Sequence, residues 1–263
     1  HSRPAKSDFR PDIQGLRGIA VLLVVCYHAG IQGVGGGYIG VDIFFVISGY
    51  LITGLLLREI EKTGKIGFIE FYARRARRLV PAATVVLIAT TVVAWLVYSP
   101  VELKQYSSSA VATAVYLSNF WFAHLSTDYL AEGTNANPLL HTWSLGVEEQ
   151  FYLVWPFLLF LAAWWGPAAT LRRRLLYVFA AVGAVSLLGC IWLTFANQPW
   201  AFFGSPTRAW EFAAGGLIAL WQPDQKTRGR VPILLMGFGG ILLILGATAF
   251  FTDRTMFPGY AAL

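Results

Sequence analysis

The chain carries little charge for its length. Only 13% of its 263 residues are charged, whereas 56% are hydrophobic. Soluble domains carry about 25% charged residues, so this chain lacks the polar side chains that would cover a surface facing water. The composition excludes a soluble globular protein and indicates an integral membrane protein.

Cysteine is scarce as well, and Cys26 and Cys190 both lie inside apolar runs. Such a pair predicts neither a disulfide framework nor a metal site, and we expect no metal cofactor. The net charge of +6 would favour nucleic-acid binding in a soluble protein. In a membrane protein, basic loops that face anionic lipid account for it. We therefore expect the lipid bilayer as a partner and no nucleic acid.

Long apolar runs are abundant. Seven of them are long enough, or nearly so, to cross a bilayer: residues 16–34, 38–57, 79–98, 147–165, 175–195, 209–221 and 231–251. An eighth run, 107–123, is more polar. The sequence therefore predicts an all-α, polytopic transmembrane helix bundle with seven to eight hydrophobic segments.

Basic residues orient these segments. Seven Lys and Arg residues lie in 58–78, three in 172–174 and three in 222–230, whereas 122–146 has none. Basic loops face the cytoplasm, and a cytoplasmic N terminus places the first of these loops there. The other two lie inside only if 107–123 enters the membrane and returns on the same side, which buried backbone permits. We favour a re-entrant or interfacial segment over a full crossing.

The first apolar run contains Arg17 and His28, and ionisable residues within a membrane indicate function by default. Eleven residues apart, they lie on one stripe of a helix, about 16 Å from each other. His28 also precedes Gly35 of the glycine-rich turn by seven residues, and Asp42 follows it by seven. This spacing predicts that His28 and Asp42 share one depth in a helical hairpin. The carboxylate would then orient His28 as a general base, or the two would form a buried polar pair that ties the helices together.

Four arginines lie at the foot of the third run, in the segment 71–82. Guanidinium groups bind phosphate bidentately, and Arg17 lies at the same face of the membrane. The arrangement fits an anionic donor with a long neutral arm, a shape that coenzyme A thioesters have. The candidate donor-binding residues are Arg17, Arg74, Arg75 and Arg78. A basic anchor that contacts lipid phosphates is the alternative.

The segment 141–156 opens a long apolar run with two adjacent carboxylates, Glu148 and Glu149. One of them favours a helix cap, and the other is expected to face the bundle interior. Both are candidate catalytic residues. The aromatic residues of this segment fit an interfacial belt or a sugar-stacking surface. Candidate substrate contacts are His141, Trp143 and Ser48, although helix packing is the alternative for Ser48.

Together, these motifs resemble those of the acyltransferase-3 family of bacterial membrane acyltransferases. Four elements match in order: the R-x10-H pair at Arg17 and His28, the block 41–52 after Gly40, the R-x-x-R-x-x-P element at Arg75, Arg78 and Pro81, and the HTWSLGVEEQFY block at 141–152. The last block is similar to that of the family's sugar O-acetyltransferase branch.

The resemblance implies about ten spans in the bacterial cytoplasmic membrane, and transfer of an acyl group from a cytoplasmic acyl-CoA. Acetyl-CoA is the expected donor, and a hydroxyl of an extracytoplasmic carbohydrate or glycolipid of the cell envelope is the expected acceptor. His28 would deprotonate this hydroxyl or carry the acyl group itself. Some family members continue into an extracytoplasmic SGNH-type domain.

We expect residues 10–263 to form the membrane acyltransferase domain, incomplete at its C-terminal end. Residues 1–9 would be a cytoplasmic N-terminal segment or foreign to the natural chain. The competing class is a proton-coupled secondary transporter, in which the intramembrane His, Asp and Arg residues form a proton relay. A transporter predicts repeated segments, and the first hairpin has no repeat later in the sequence.

Overall fold

The structure of the protein is a computed structural model that describes residues 10–128, 137–221, 230–252 and 254–263. Every regular element in these ranges is helical, which confirms the predicted fold class. The α-helices are α1 Pro11–His28, α2 Gly40–Thr63, α3 Phe68–Val97, α4 Pro100–Ala114, α5 Ser118–Asp128, α6 Trp143–Trp164, α7 Leu171–Ala196, α8 Gln198–Phe203, α9 Ser205–Leu220 and α10 Arg230–Phe250. Short 3-10 turns lie at Gly37–Ile39, Leu140–Thr142, Ala168–Thr170 and Gly259–Ala262. The segment 1–9 lies outside the described residues.

Four helical stretches of the described chain are long and apolar enough to cross a membrane: Gly37–Thr63, Phe68–Val97, Leu140–Trp164 and Ala168–Ala196. They correspond to four of the predicted runs. The first predicted run is wrong at its end, because α1 stops at His28 and not at residue 34. Gly30 and Gly33 follow with φ values of +67° and +84°, a left-handed conformation that glycine adopts readily and that ends a helix.

The chain forms two compact units. The first comprises residues 1–47 and 223–255, and the second comprises 48–222 and 256–263. The first unit therefore contains α1, the start of α2 and α10. The second contains the remainder of α2, helices α3 to α9 and the C-terminal 3-10 turn.

The first unit depends on backbones that approach each other closely. A Cβ atom at Gly36 would overlap the carbonyl of Ala247 in α10, and one at Gly40 would overlap the carbonyl of Ala20 in α1. The Gly36 N–H also donates to the Thr248 carbonyl at 2.9 Å. Small residues allow membrane helices such contacts, so the glycine-rich turn joins α1, α10 and the start of α2.

The core of the second unit is aromatic. Trp155 of α6 is fully buried, and its ring stacks on Phe179 of α7 with 4.8 Å between centroids. Phe151 of α6 stacks on Phe212 of α9 at 4.1 Å. The Trp155 indole N–H donates to Thr53 of α2 at 2.8 Å, so its polar atom is satisfied within the core. These contacts fix the position of α6, the helix that carries both candidate carboxylates.

The run 107–123 is divided between α4 and α5. α4 returns alongside α3, where the hydroxyls of Thr91 and Tyr106 lie 2.9 Å apart. The helix breaks at Tyr116, whose φ of +57° is rare for a bulky residue. The two helices have 15 and 11 residues, fewer than the roughly 20 that a full crossing requires. The re-entrant path stays a prediction.

Candidate active site

An ion pair in the second unit lies beside a cavity. Arg75 of α3 donates from Nη2 to Oε1 of Glu149 in α6 at 2.7 Å, and the side chains are 22% and 18% exposed. The guanidinium carbon of Arg75 also lies 3.0 Å from the ring centroid of Tyr152. A charged hydrogen bond and a cation–π contact therefore hold the Arg75 side chain in place.

The neighbouring carboxylate, Glu148, has a separate set of partners. Its Oε1 accepts hydrogen bonds from Ser48 at 2.6 Å and from the Tyr152 hydroxyl at 2.8 Å. The expectation that one of the two carboxylates caps the helix is wrong, because α6 begins at Trp143, five residues before Glu148. Ser48 is 5% exposed and bonds the carboxylate, so its hydroxyl has a polar role beyond packing.

A cavity of about 400 Å³ opens next to the ion pair. Its walls come from the first half of α3, from the break between α4 and α5, and from α6. The polar residues that line it are Tyr72, Arg75, Tyr116, Glu149, Gln150 and Tyr152. The other lining side chains are apolar, so the cavity combines an apolar wall with a few polar groups, as small-molecule sites do.

A buried polar network holds the helix break against α6. Gln150 donates from Nε2 to the Tyr116 carbonyl and to Asn119 Oδ1, both at 2.8 Å. Asn119 donates to Ser205 Oγ at 3.0 Å, and the Ser205 hydroxyl donates back to Gln150 Oε1. The network satisfies the carbonyl that the break removes from the helix, which fixes the position of Tyr116 in the cavity wall.

His28 is exposed at the end of α1 in the first unit. Its Nδ1 lies 2.8 Å from the Val24 carbonyl, and a carbonyl can only accept, so Nδ1 carries the proton. Nε2 therefore has the lone pair that a general base needs. Arg17 lies on the same stripe of this helix. It is half-buried and donates to Gln14 at 3.3 Å.

The predicted equal depth of His28 and Asp42 is wrong. Gly40 packs against Ala20, so Asp42, two residues further along α2, lies level with the middle of α1. Eight residues separate Ala20 from His28, which is about 12 Å along a helix. The prediction counted symmetrically from Gly35, but the chain from 29 to 36 is not helical. Asp42 is buried, at 9% exposure, and the Val24 carbonyl takes over the role predicted for its carboxylate.

The predicted donor-binding arginines have unequal surroundings. Arg74 and Arg78 are exposed, and Arg74 forms only a long contact of 3.5 Å with Glu70, which is itself exposed. Arg75 differs, because Glu149 neutralises its charge. Exposed guanidiniums suit phosphate binding, whereas a guanidinium already paired with a carboxylate does not.

Trp143 is only 7% exposed, which contradicts both the interfacial belt and the sugar-stacking surface for this residue. Its ring packs against Phe202 at 4.8 Å and Phe203 at 5.3 Å, so it belongs to the interior. His141 is exposed in the turn that leads into α6.

Sequence reasoning missed a second buried ion pair. Arg208 and Glu211 lie one turn apart on α9 at 2.9 Å, and both side chains are fully buried. The guanidinium carbon is 5.6 to 5.8 Å from the ring centroids of Trp143, Phe202 and Phe257. The two charges at the start of the run 209–221 were the available signal.

Helices long and apolar enough to cross a membrane enclose the ion pairs and the cavity, and they define a polytopic membrane protein with a candidate site among its helices. The chain belongs to the acyltransferase-3 family, because residues 10–261 match that family's acyltransferase domain. The family predicted from the four motifs is thereby confirmed.

Two relatives illustrate the similarity. The peptidoglycan O-acetyltransferase OatA of Listeria monocytogenes is 35% identical over 259 residues, which cover 94% of this chain and 40% of the relative. The O-acetyltransferase OatA of Staphylococcus aureus is 35% identical over 250 residues, which cover 92% of this chain and 40% of the relative. The chain thus spans about 40% of the length of these relatives. No solved structure matches the chain significantly.

Proposed function

We propose that the chain is the membrane domain of an O-acetyltransferase. It transfers an acetyl group from acetyl-CoA, or another acyl-CoA, to a hydroxyl of an extracytoplasmic carbohydrate or glycolipid of the cell envelope. The relatives' names support acetyl as the acyl group and peptidoglycan as the kind of acceptor. The observation that carries the proposal is the Arg75–Glu149 pair, which lies beside a cavity among apolar helices. The bacterial cytoplasmic membrane, a cytoplasmic N terminus and a further SGNH-type domain belong to the same proposal.

The donor's phosphates bind the exposed guanidiniums of Arg74 and Arg78 in this proposal. Each contact is charge-assisted and acts far from the thioester. Contacts remote from the reacting atoms stabilise the bound substrate and the transition state alike. Losing one of them should therefore raise the donor KM more than it lowers kcat.

His28 performs the proton transfer in this proposal. Nε2 takes the proton of the acceptor hydroxyl while the hydroxyl oxygen bonds to the acyl carbon and the C–S bond of the thioester breaks. The proton then passes from Nε2 to the coenzyme A thiolate. In the alternative path, Nε2 attacks the acyl carbon and the coenzyme A thiolate leaves. The acceptor hydroxyl then takes the acyl group from Nε2, and its proton passes to the thiolate. Both paths require the tautomer that the Val24 carbonyl selects.

Replacement of His28 tests the proposal. A positioned base contributes about 10²- to 10⁴-fold to rate, so His28→Ala should lose at least about a hundredfold in acetyl transfer. The assay measures transfer of labelled acetyl from acetyl-CoA to peptidoglycan fragments by the full-length protein in liposomes. His124→Ala, at an exposed histidine of α5, is the matched control and should keep wild-type activity. A folded His28→Ala protein that transfers acetyl at the wild-type rate would rule out this mechanism.

A further inference from the structure

We propose that the cavity at the break between α4 and α5 is the acceptor site, and that it binds a neutral hydroxylated ring instead of the charged end of the donor. The inference rests on the proposed function and names the ligand class of one of its sites. Three features of the cavity support it: its charge, its free hydrogen-bonding groups and its walls.

The charge of the cavity disfavours an anion. Among the described residues that line it, Arg75 and Glu149 are the charged ones, and they neutralise each other at 2.7 Å. Glu148 adds a further carboxylate next in the chain. A phosphate in this cavity would meet the Glu149 carboxylate, and Arg75, the cation among the described lining residues, is already paired with that carboxylate. Like charges brought together out of water are costly. A neutral ligand has no such cost.

The hydrogen-bonding groups of the cavity divide into two sets. The hydroxyl of Tyr72 donates to the Leu153 carbonyl at 3.0 Å, the hydroxyl of Tyr152 donates to Glu148, and the Gln150 amide serves the buried network. These groups are occupied by the protein. Within the described residues, Oε2 of Glu149 and the hydroxyl of Tyr116 have no hydrogen-bond partner. Nε of Arg75 has none either, but this atom is buried and does not reach the cavity surface.

An acceptor and a donor therefore remain for the ligand. Glu149 Oε2 can only accept, and the Tyr116 phenol supplies an O–H. A hydroxyl group donates and accepts at once, so a hydroxylated ring can satisfy both. A thioester arm has no hydroxyl at its reactive end, and a phosphate offers the carboxylate no proton at neutral pH.

The walls match the shape of a ring with polar edges. The volume of about 400 Å³ lies within the range of small-molecule sites, which are mostly apolar with a few placed polar groups. Leu79 and Leu153 line it together with tyrosine rings, and such surfaces cover the C–H faces of a sugar. Tyr116 reaches the cavity from a left-handed backbone with a φ of +57°, and residues held in rare conformations cluster at ligand sites.

Separate binding of the two ligands tests the inference. The full-length protein in nanodiscs is titrated with chitotetraose, a neutral N-acetylglucosamine oligosaccharide, and independently with coenzyme A. Tyr116→Phe and Glu149→Gln each remove one ligand hydrogen bond and should weaken chitotetraose binding about tenfold, with coenzyme A affinity unchanged. Arg78→Ala should do the reverse. Tyr177→Phe, an exposed tyrosine of α7, is the matched control and should change neither affinity.

The outcomes separate the inference from the proposed function. If Tyr116→Phe weakens coenzyme A binding and leaves chitotetraose binding unchanged, the cavity belongs to the donor and the inference is overturned. Wild-type protein that does not bind chitotetraose overturns it as well. Failure of the wild type to transfer acetyl refutes the proposed function, whatever the binding data show about the cavity. Tyr116→Phe keeps the ring and the backbone, so it decides the question even if Glu149→Gln does not fold.

Discussion

Two arginine–glutamate pairs in the second unit have the same chemistry and opposite surroundings. Arg208 and Glu211 belong to one helix, are fully buried and lie among aromatic rings. Arg75 and Glu149 join two helices, keep about a fifth of their exposure and border a cavity. The first pair is enclosed by the protein, whereas the second borders the cavity.

The difference shows that a charge within a membrane protein is not sufficient evidence of a binding site. A buried ion pair loses hydration that its mutual attraction only partly restores, and it is destabilising when one partner is removed. The pair on α9 fits a structural role, because both of its side chains are fully buried and lie among aromatic rings. The Arg75–Glu149 pair retains an open carboxylate oxygen and a cavity, so the structure favours it as the functional one.

The largest expected effect on stability follows from breaking the Arg208–Glu211 pair. Arg208→Met leaves Glu211 buried without its cation, and removing one partner of such a pair costs about 3–5 kcal/mol. We expect the variant to lose most of its folded fraction in detergent, as measured by thermal unfolding.

A double replacement is the control for that variant. Arg208→Met combined with Glu211→Leu removes both charges, and apolar substitution of a buried pair is often neutral. The double variant should therefore recover most of the lost stability. A single Arg208→Met variant as stable as wild type would contradict the structural role.

Breaking the Arg75–Glu149 pair should lower the stability less than breaking the Arg208–Glu211 pair, and it should lower the activity more. Arg75→Met leaves Glu149 next to the cavity, where solvent and ligand reach it, and we expect a loss of about 1.5–3 kcal/mol, the contribution of a charged hydrogen bond. Acetyl transfer should fall by at least an order of magnitude in protein that remains folded. Equal stability losses for Arg75→Met and Arg208→Met would remove the distinction between the pairs.

A smaller effect on stability is expected from replacing Tyr152, which bonds to Glu148 and stacks under Arg75, the partner of Glu149. Tyr152→Phe loses the hydrogen bond to Glu148 but keeps the ring beneath Arg75, whereas Tyr152→Leu loses both. A cation–π contact contributes about 0.5–2 kcal/mol, so the leucine variant should be the less stable by that amount. Denaturation of the two variants side by side measures the difference, and equal stabilities would show that the stacking contributes nothing.

The smallest effect concerns a third carboxylate, that of Glu102 in the first turn of α4. The Ser99 hydroxyl and N–H donate to it at 2.7 and 2.9 Å, and these bonds lower the pKa of Glu102 below its ordinary value of 4.5. A lowered folded pKa stabilises the fold above pH 4.5, and the stabilisation is lost as the pH falls through the folded pKa. Ser99→Ala should therefore unfold with a slightly weaker dependence on acidic pH than wild type. Identical pH profiles would show that the cap makes no contribution.

The sequence predicted the fold class because apolar runs of spanning length have few other uses. It failed at the end of α1, where the glycines at 30 and 33 end the helix before the apolar run ends. It also treated 107–123 as one segment. The break at Tyr116 depends on a hydrogen bond from Gln150, which is remote in sequence.

The site was predicted in part. Arg75 and Glu149 were both selected, but with separate roles, because no local pattern indicates that residues 74 positions apart form a pair. Asp42 was matched to His28 by counting, and the irregular turn between the helices invalidated the count. Tyr116 was not predicted. It lines the cavity because its backbone is left-handed, and a tyrosine in the sequence gives no signal of that conformation.

Because of the left-handed backbone of Tyr116, selection for thermal stability and selection for acetyl transfer should favour different residues at this position. Glycine or asparagine adopts this conformation with less strain, so a library of variants selected only for thermal resistance should drift away from tyrosine at this position. A library selected for acetyl transfer should retain tyrosine, because the phenol contacts the acceptor. Position 116 is therefore where laboratory evolution toward robustness and toward catalysis would diverge, a pattern common at functional sites.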